Sequence, residues 1–165
     1  MNVLFTHSYF LRFDAKEYKA HMPYPPLGTL YAAAYARSRG YAVSLADSML
    51  AEGPQHILPF VRDLRPKVLV IYDDDFNYLT KMCLTKMREG AFAMSTLGAQ
   101  AGCTVVVHGS DATDHLAAYF QHGAHYVLCG EAEETLVELL DALLHERGSI
   151  KDIRGLAYIE EGSIR

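Results

Sequence analysis

Five short apolar runs, separated by stretches whose apolar residues recur at helical spacing, constrain this chain more than any other feature of it. The runs occupy residues 2–7, 41–46, 67–72, 103–108 and 126–129. They show little polar alternation, as strands buried on both faces do. Pro25-Pro26 opens the first helical stretch, because proline suits the first turn, and Leu27, Leu30, Tyr31, Ala34 and Tyr35 follow before Gly40. Gly53-Pro54 opens the second, with Ile57, Leu58, Val61 and Leu64 on one face and Arg65-Pro66 at its end. A long helix over residues 77–100 carries Leu79, Met82, Cys83, Met87, Ala91, Met94 and Leu97 on one stripe. Further helices are predicted over 111–121 and over 133–146, the latter with Leu136, Leu139, Leu140, Leu143 and Leu144 inward. Strand and helix alternating five times predict a three-layer, doubly wound α/β domain over residues 1–150. Its five-stranded parallel sheet carries helices on both faces and right-handed crossovers. Residues 151–165 read as a connector with a β-hairpin around Glu161-Gly162. That hairpin stops in mid-strand and reads as leading toward a further domain.

Composition narrows the function. The chain has 165 residues, 50% of them hydrophobic and 21% charged, which suits one globular domain with a sizeable core. The net charge is −5 and no Lys/Arg-rich run occurs, so nucleic acid is not an expected partner. No apolar run approaches the length of a membrane span, and no signal-peptide layout precedes the first strand, so a cytoplasmic location is expected. Cys83, Cys103 and Cys129 are odd in number, far apart and set among apolar neighbours, as buried free thiols are.

The turns after the apolar runs are polar: His7-Ser8, then Asp73-Asp74-Asp75, then His108-Gly109-Ser110-Asp111, then Gly130-Glu131. In a parallel sheet they share the edge outside the carboxyl ends of the strands, where open α/β sheets bind ligands. Each also has a plainer reading. Carboxylates before a helix favour its N-terminus, and Asn77 can serve as an N-cap, which explains one or two of the three acids. Glu131 can be a first-turn acid, and His7 and His108 can be buried histidines bonded to backbone. Residues 8–25 lack periodicity, and an aperiodic segment of that length is usually functional. Its Tyr9, Phe10, Arg12, Phe13, Lys16, Tyr18, His21 and Tyr24 suit an amphipathic ligand.

Other chemistries lack their motifs. No G-x-G-x-x-G follows the first run and no G-x-x-x-x-G-K occurs. The end of the first run holds Thr6-His7-Ser8 rather than the acidic pair of a phosphoacceptor domain. His122 and His125 form an H-x-x-H at the opposite sheet edge, too few ligands for zinc. Ser110 lacks the G-x-S-x-G setting of a nucleophile, and glycine beside it favours close backbone approach to a ligand. No catalytic residue and no protein metal ligand is assigned.

Three segments in order resemble a known family: Pro25-Pro26-Leu27-Gly28-Thr29-Leu30-Tyr31-Ala32-Ala33; His108-Gly109-Ser110-Asp111-Ala112-Thr113; and His122 to Val127 with Gly130-Glu131-Ala132-Glu133-Glu134-Thr135-Leu136. They are similar to the N-terminal cobalamin (B12)-binding domain of B12-dependent radical SAM enzymes, over nearly the whole chain. The resemblance implies a flavodoxin-like, Rossmann-like sheet of order 2-1-3-4-5, with cobalamin over its carboxyl edge. The implied cofactor contacts are His7, Ser8, Pro26, Leu27, Gly28, Tyr72, Asp73, Asp74, Asp75, Asn77, His108, Gly109, Ser110, Asp111, Gly130 and Glu131. The D-x-H-x-x-G by which some cobalamin domains ligate cobalt is absent, which leaves the lower axial position open. The C-x-x-x-C-x-x-C of a radical SAM cluster is absent as well. S-adenosylmethionine and a [4Fe–4S] cluster are therefore expected only in a full-length enzyme, through a downstream radical SAM domain in cis or trans.

The leading expectation is a cobalamin-binding module serving methyl transfer or radical rearrangement in such an enzyme, not catalytic alone. A stand-alone module that binds or senses cobalamin or another small ligand is the alternative. A metal-dependent hydrolase or transferase built on Asp73, Asp74 and Asp75 is a third reading.

Overall fold

The computed structural model describes residues 2–73 and 84–165. Five parallel strands appear where the apolar runs predict them: β1 (Asn2–Thr6), β2 (Ala42–Ala46), β3 (Val68–Tyr72), β4 (Thr104–His108) and β5 (Tyr126–Leu128). Their order is β2-β1-β3-β4-β5, all parallel. The sheet then continues. β6 (Leu156–Glu160) pairs antiparallel with β5, and β7 (Ser163–Ile164) pairs antiparallel with β6, giving seven strands. Glu161 and Gly162, at φ 50° and 78°, close the two-residue turn between them. Positive φ at both positions matches the right-handed twist of the flanking strands.

The two faces of the sheet read off the pleat. Val3, Phe5, Val68, Val70 and Val106 point to one face. There they meet α2 (Leu27–Ser38) and α7 (Glu133–His145) through Ala32, Ala33, Ala36, Leu136, Leu139 and Leu140. Leu4, Leu69, Ile71, Val105 and Val107 point to the other. That face is covered by α3 (Ile57–Leu64), α4 (Leu84–Gln100), α5 (Ser110–Asp114) and α6 (Leu116–Gln121). Each fully buried branched side chain contributes about 1.5–3 kcal/mol of burial. No helix of the described residues is long and apolar enough to cross a membrane.

Three local expectations change. Residues 8–25 are not an open loop. Phe10 is 1% exposed, Tyr9 and Leu11 pack with Met49 and Met87, and α1 (Ala15–Ala20) forms behind an Asp14 cap. The stripe Leu27, Leu30, Tyr31 and Ala34 lies on α2 at the predicted spacing but faces out. Tyr31 is 64% exposed, while the small Gly28, Ala32, Ala33 and Ala36 face the sheet. Small residues let this helix approach closely.

Residues 111–121 form two helices rather than one, broken at His115. A straight helix would set Asp111 and Tyr119 about 12 Å apart along its axis. The break lets the buried Tyr119 hydroxyl donate to Asp111 at 2.9 Å. The first part of the long helix, with Leu79, Met82 and Cys83, lies outside the described residues. Of the other two cysteines, Cys103 is buried and Cys129 half-buried, both free thiols.

Candidate functional site

The carboxyl ends of β3, β4 and β5 frame a cleft of about 410 Å³. Tyr72, His108, Gly109 and Ser110 line one part of it, Gly130 and Glu131 another, with Thr113, Asp114 and Glu133 beside them. Six predicted site residues thus meet around one space. Tyr72 and His108 are register neighbours on adjacent strands, and their rings stack at 3.9 Å with a 17° tilt. His108 Nε2 lies 3.0 Å from the Gly130 carbonyl oxygen, which ties β4 to the turn after β5. Gly109 caps α5 at φ 149°, a conformation only glycine adopts readily, so the chain turns off β4 without a side chain over the cleft.

Ser8 and Asp73 join the ends of β1 and β3. The Ser8 amide donates to one Asp73 oxygen and the Ser8 hydroxyl to the other, each at 2.7 Å. Both groups are buried. The α2 N-terminus is tied to the same place, since the Thr29 hydroxyl donates to the Tyr72 carbonyl at 2.6 Å. Pro26 and Gly28 are buried there, and Leu27 is exposed. Asp74, Asp75 and Asn77 lie outside the described residues.

His7 stands away from the cleft, at the ends of β1 and β2. Its Nε2 lies 2.9 Å from Asp47 Oδ1 and 3.2 Å from the Ser48 amide nitrogen. A carboxylate only accepts and the Ser48 amide only donates, so Nε2 serves Asp47 when it carries the proton and Ser48 when it does not. The hydrogen bond from His7 is the chief reason the Asp47 carboxyl sits below its usual range. The sequence offers His7 no acidic partner at motif spacing; the structure supplies one 40 residues away.

Asp111 turns from the cleft into a fork with Arg88, at 2.8 Å to Nε and 2.5 Å to Nη2. Burial pushes the Asp111 carboxyl up, but Arg88 and Tyr119 outweigh it and hold it below the usual range. Burial, with the nearby carboxylates Asp73 and Asp111, pushes the Tyr119 phenol far up. Arg88 was missed in the sequence because it lies 23 residues from its partner on a helix face with no motif.

Two further histidines serve packing. His122 stacks on Phe92 at 3.9 Å, and His125 Nδ1 accepts from the Val105 amide at 3.0 Å. Among the described residues no group of three His, Cys, Asp or Glu side chains is placed to hold a metal ion.

No family model matches the chain, and no curated protein matches it. Solved structures do. The cobalamin-dependent S-adenosylmethionine radical enzyme OxsB with aqua-cobalamin and S-adenosylmethionine bound aligns over 99% of this chain, with TM-score 0.73 and 16% identity. OxsB with aqua-cobalamin bound aligns at TM-score 0.72 and 16% identity, and apo OxsB at 0.66 and 16%. This chain spans 21% to 22% of the OxsB length. The seven-stranded α/β architecture described above is thus the fold of that region of OxsB.

Proposed function

We propose that this chain is the cobalamin-binding module of a B12-dependent radical SAM enzyme, paired with a radical SAM domain in cis or trans. One observation carries the reading: the cleft at the carboxyl ends of β3, β4 and β5. It occurs on a fold shared over 99% of the chain with OxsB, which has been solved with aqua-cobalamin bound.

The residues fit such a cofactor. Cobalamin presents apolar faces rimmed by amides, and the cleft combines the stacked Tyr72–His108 pair with glycine backbone and a few polar groups. The buried Nδ1 of His108 has no hydrogen-bond partner among the described residues. The cleft is smaller than a whole corrinoid and suits one projecting arm of it. Tyr72, His108, Gly109, Ser110, Gly130 and Glu131 would hold that arm. Ser8 and Asp73 would act indirectly, by fixing the strand ends. Bound cobalamin supplies methyl-transfer or radical chemistry to the full enzyme; the chain itself binds, orients and shields.

The test is direct. The purified chain is mixed with hydroxocobalamin, passed through gel filtration and examined by visible absorbance. Corrinoid bands should travel with the protein at about one equivalent. Complete separation of the two would refute the reading.

A further inference from the structure

His108 ends β4 with its ring 6% exposed in the wall of the cleft. Its Nε2 faces the Gly130 carbonyl at 3.0 Å. A carbonyl only accepts, so Nε2 carries the proton, and in the neutral ring Nδ1 is then a lone-pair acceptor. That Nδ1 is buried and has no hydrogen-bond partner among the described residues. A half-turn of the ring would keep the stack on Tyr72 but give up Gly130. Nor does the rest of the cleft help. The Thr113 hydroxyl donates to the Gly109 carbonyl, and Asp114, Glu131 and Glu133 are acceptors when ionised. The acidic rim of the cleft disfavours an anion.

We propose that His108 Nδ1 is a specificity-determining acceptor, filled by a neutral N–H or O–H donor of the bound ligand. This rests on the cobalamin reading. Two parts of cobalamin offer such donors: the corrin amides and the ribose hydroxyl of the nucleotide arm. Cobinamide keeps the amides and lacks that arm.

Affinities of the whole chain for hydroxocobalamin and for diaquocobinamide would be measured for wild type, His108→Gln and His108→Asn. Glutamine keeps a donor near Gly130 and loses the Nδ1 acceptor; asparagine keeps an acceptor near the Nδ1 position. His108→Gln should weaken cobalamin about tenfold, the loss expected for one buried hydrogen bond. His108→Asn should lose less than His108→Gln, because it keeps the acceptor. An equal loss for cobinamide assigns the donor to the corrin amides; loss for cobalamin alone assigns it to the ribose.

Nitrogen NMR of wild type, which needs no variant to fold, should show an unprotonated His108 Nδ1 in the free chain and a shift of that signal on adding cobalamin. Wild-type affinity in His108→Gln, an equal loss in both variants, or an unmoved Nδ1 signal would overturn the proposal while leaving cobalamin binding intact. So would loss in His108→Gln of nitrogen splitting from the cobalt(II) EPR spectrum, since that would make Nδ1 a cobalt ligand. If wild type binds neither corrinoid, the cobalamin reading falls and takes this proposal with it.

Discussion

Ser8 grips both carboxylate oxygens of Asp73, its amide on one and its hydroxyl on the other, each at 2.7 Å. The pair crosses from the end of β1 to the end of β3 and sets the carboxyl ends of these two strands at a fixed spacing. Asp73 thus acts first as a brace. Replacing it with alanine strands a buried amide and a buried hydroxyl, at about 1–3 kcal/mol. Ser8→Ala removes one donor and should cost less, about 0.5–1.5 kcal/mol. In urea melts the double variant should cost less than the sum of the singles. Strict additivity would show that the two residues do not act together.

The Arg88–Asp111 fork makes the edge acid-sensitive. Asp111 is held below its usual range in the folded chain, so it binds a proton less readily there than when unfolded. Its contribution is complete above the ordinary aspartate value of about 3.9 and is lost as pH falls through the lower folded value. Asp47 titrates in the same direction, chiefly through its hydrogen bond from His7. Stability measured by urea should therefore fall below about pH 4, and Asp111→Asn should flatten that fall. An acid limb of unchanged steepness in the variant would remove Asp111 from the account.

Much of this architecture was legible because buried parallel strands and helical stripes leave strong periodic signals. The five strands and their order follow from them and from the resemblance, and six residues expected at the edge do line one cleft. What stayed hidden depends on long-range geometry. Asp47 reaches His7 from 40 residues away, and Arg88 reaches Asp111 from 23. No local pattern encodes either meeting. The segment 8–25 lacked periodicity because its buried Tyr9, Phe10 and Leu11 are consecutive, and of these only Leu11 enters a helix, a single 3-10 turn. The orientation of α2 was hidden for another reason. Periodicity marks a stripe, but only packing decides whether the large residues or the alanines face the sheet.

That orientation has a measurable consequence. Tyr31→Ser and Leu30→Ser sit on the outward stripe of α2 and should change stability by no more than about 0.5 kcal/mol. Ala36 is fully buried against the sheet, and Ala36→Leu should cost about 1–3 kcal/mol through overpacking. Thermal melts of the three variants decide it. A large loss in the serine variants with none in Ala36→Leu would mean that the helix is turned the other way.

His7 is the histidine nearest the place where some cobalamin domains present a cobalt ligand, yet its surroundings argue against that role. Its ring is 2% exposed, and Nε2 is taken up by Asp47 and the Ser48 amide. A metal-ligating histidine is commonly oriented by an acceptor on its second nitrogen, an arrangement His7 partly shares. Ligation would then fall to Nδ1 of a ring sealed between the ends of β1 and β2, outside the cleft lined by Tyr72 and His108. If the chain binds cobalamin as proposed, His7→Ala should retain the wild-type visible bands of the bound corrinoid and the wild-type cobalt(II) EPR spectrum. The same variant should lose the depression of the Asp47 carboxyl, read by carboxyl NMR titration as a move toward about 3.9. Disappearance of a nitrogen-ligated cobalt signature in His7→Ala would instead make His7 the axial ligand.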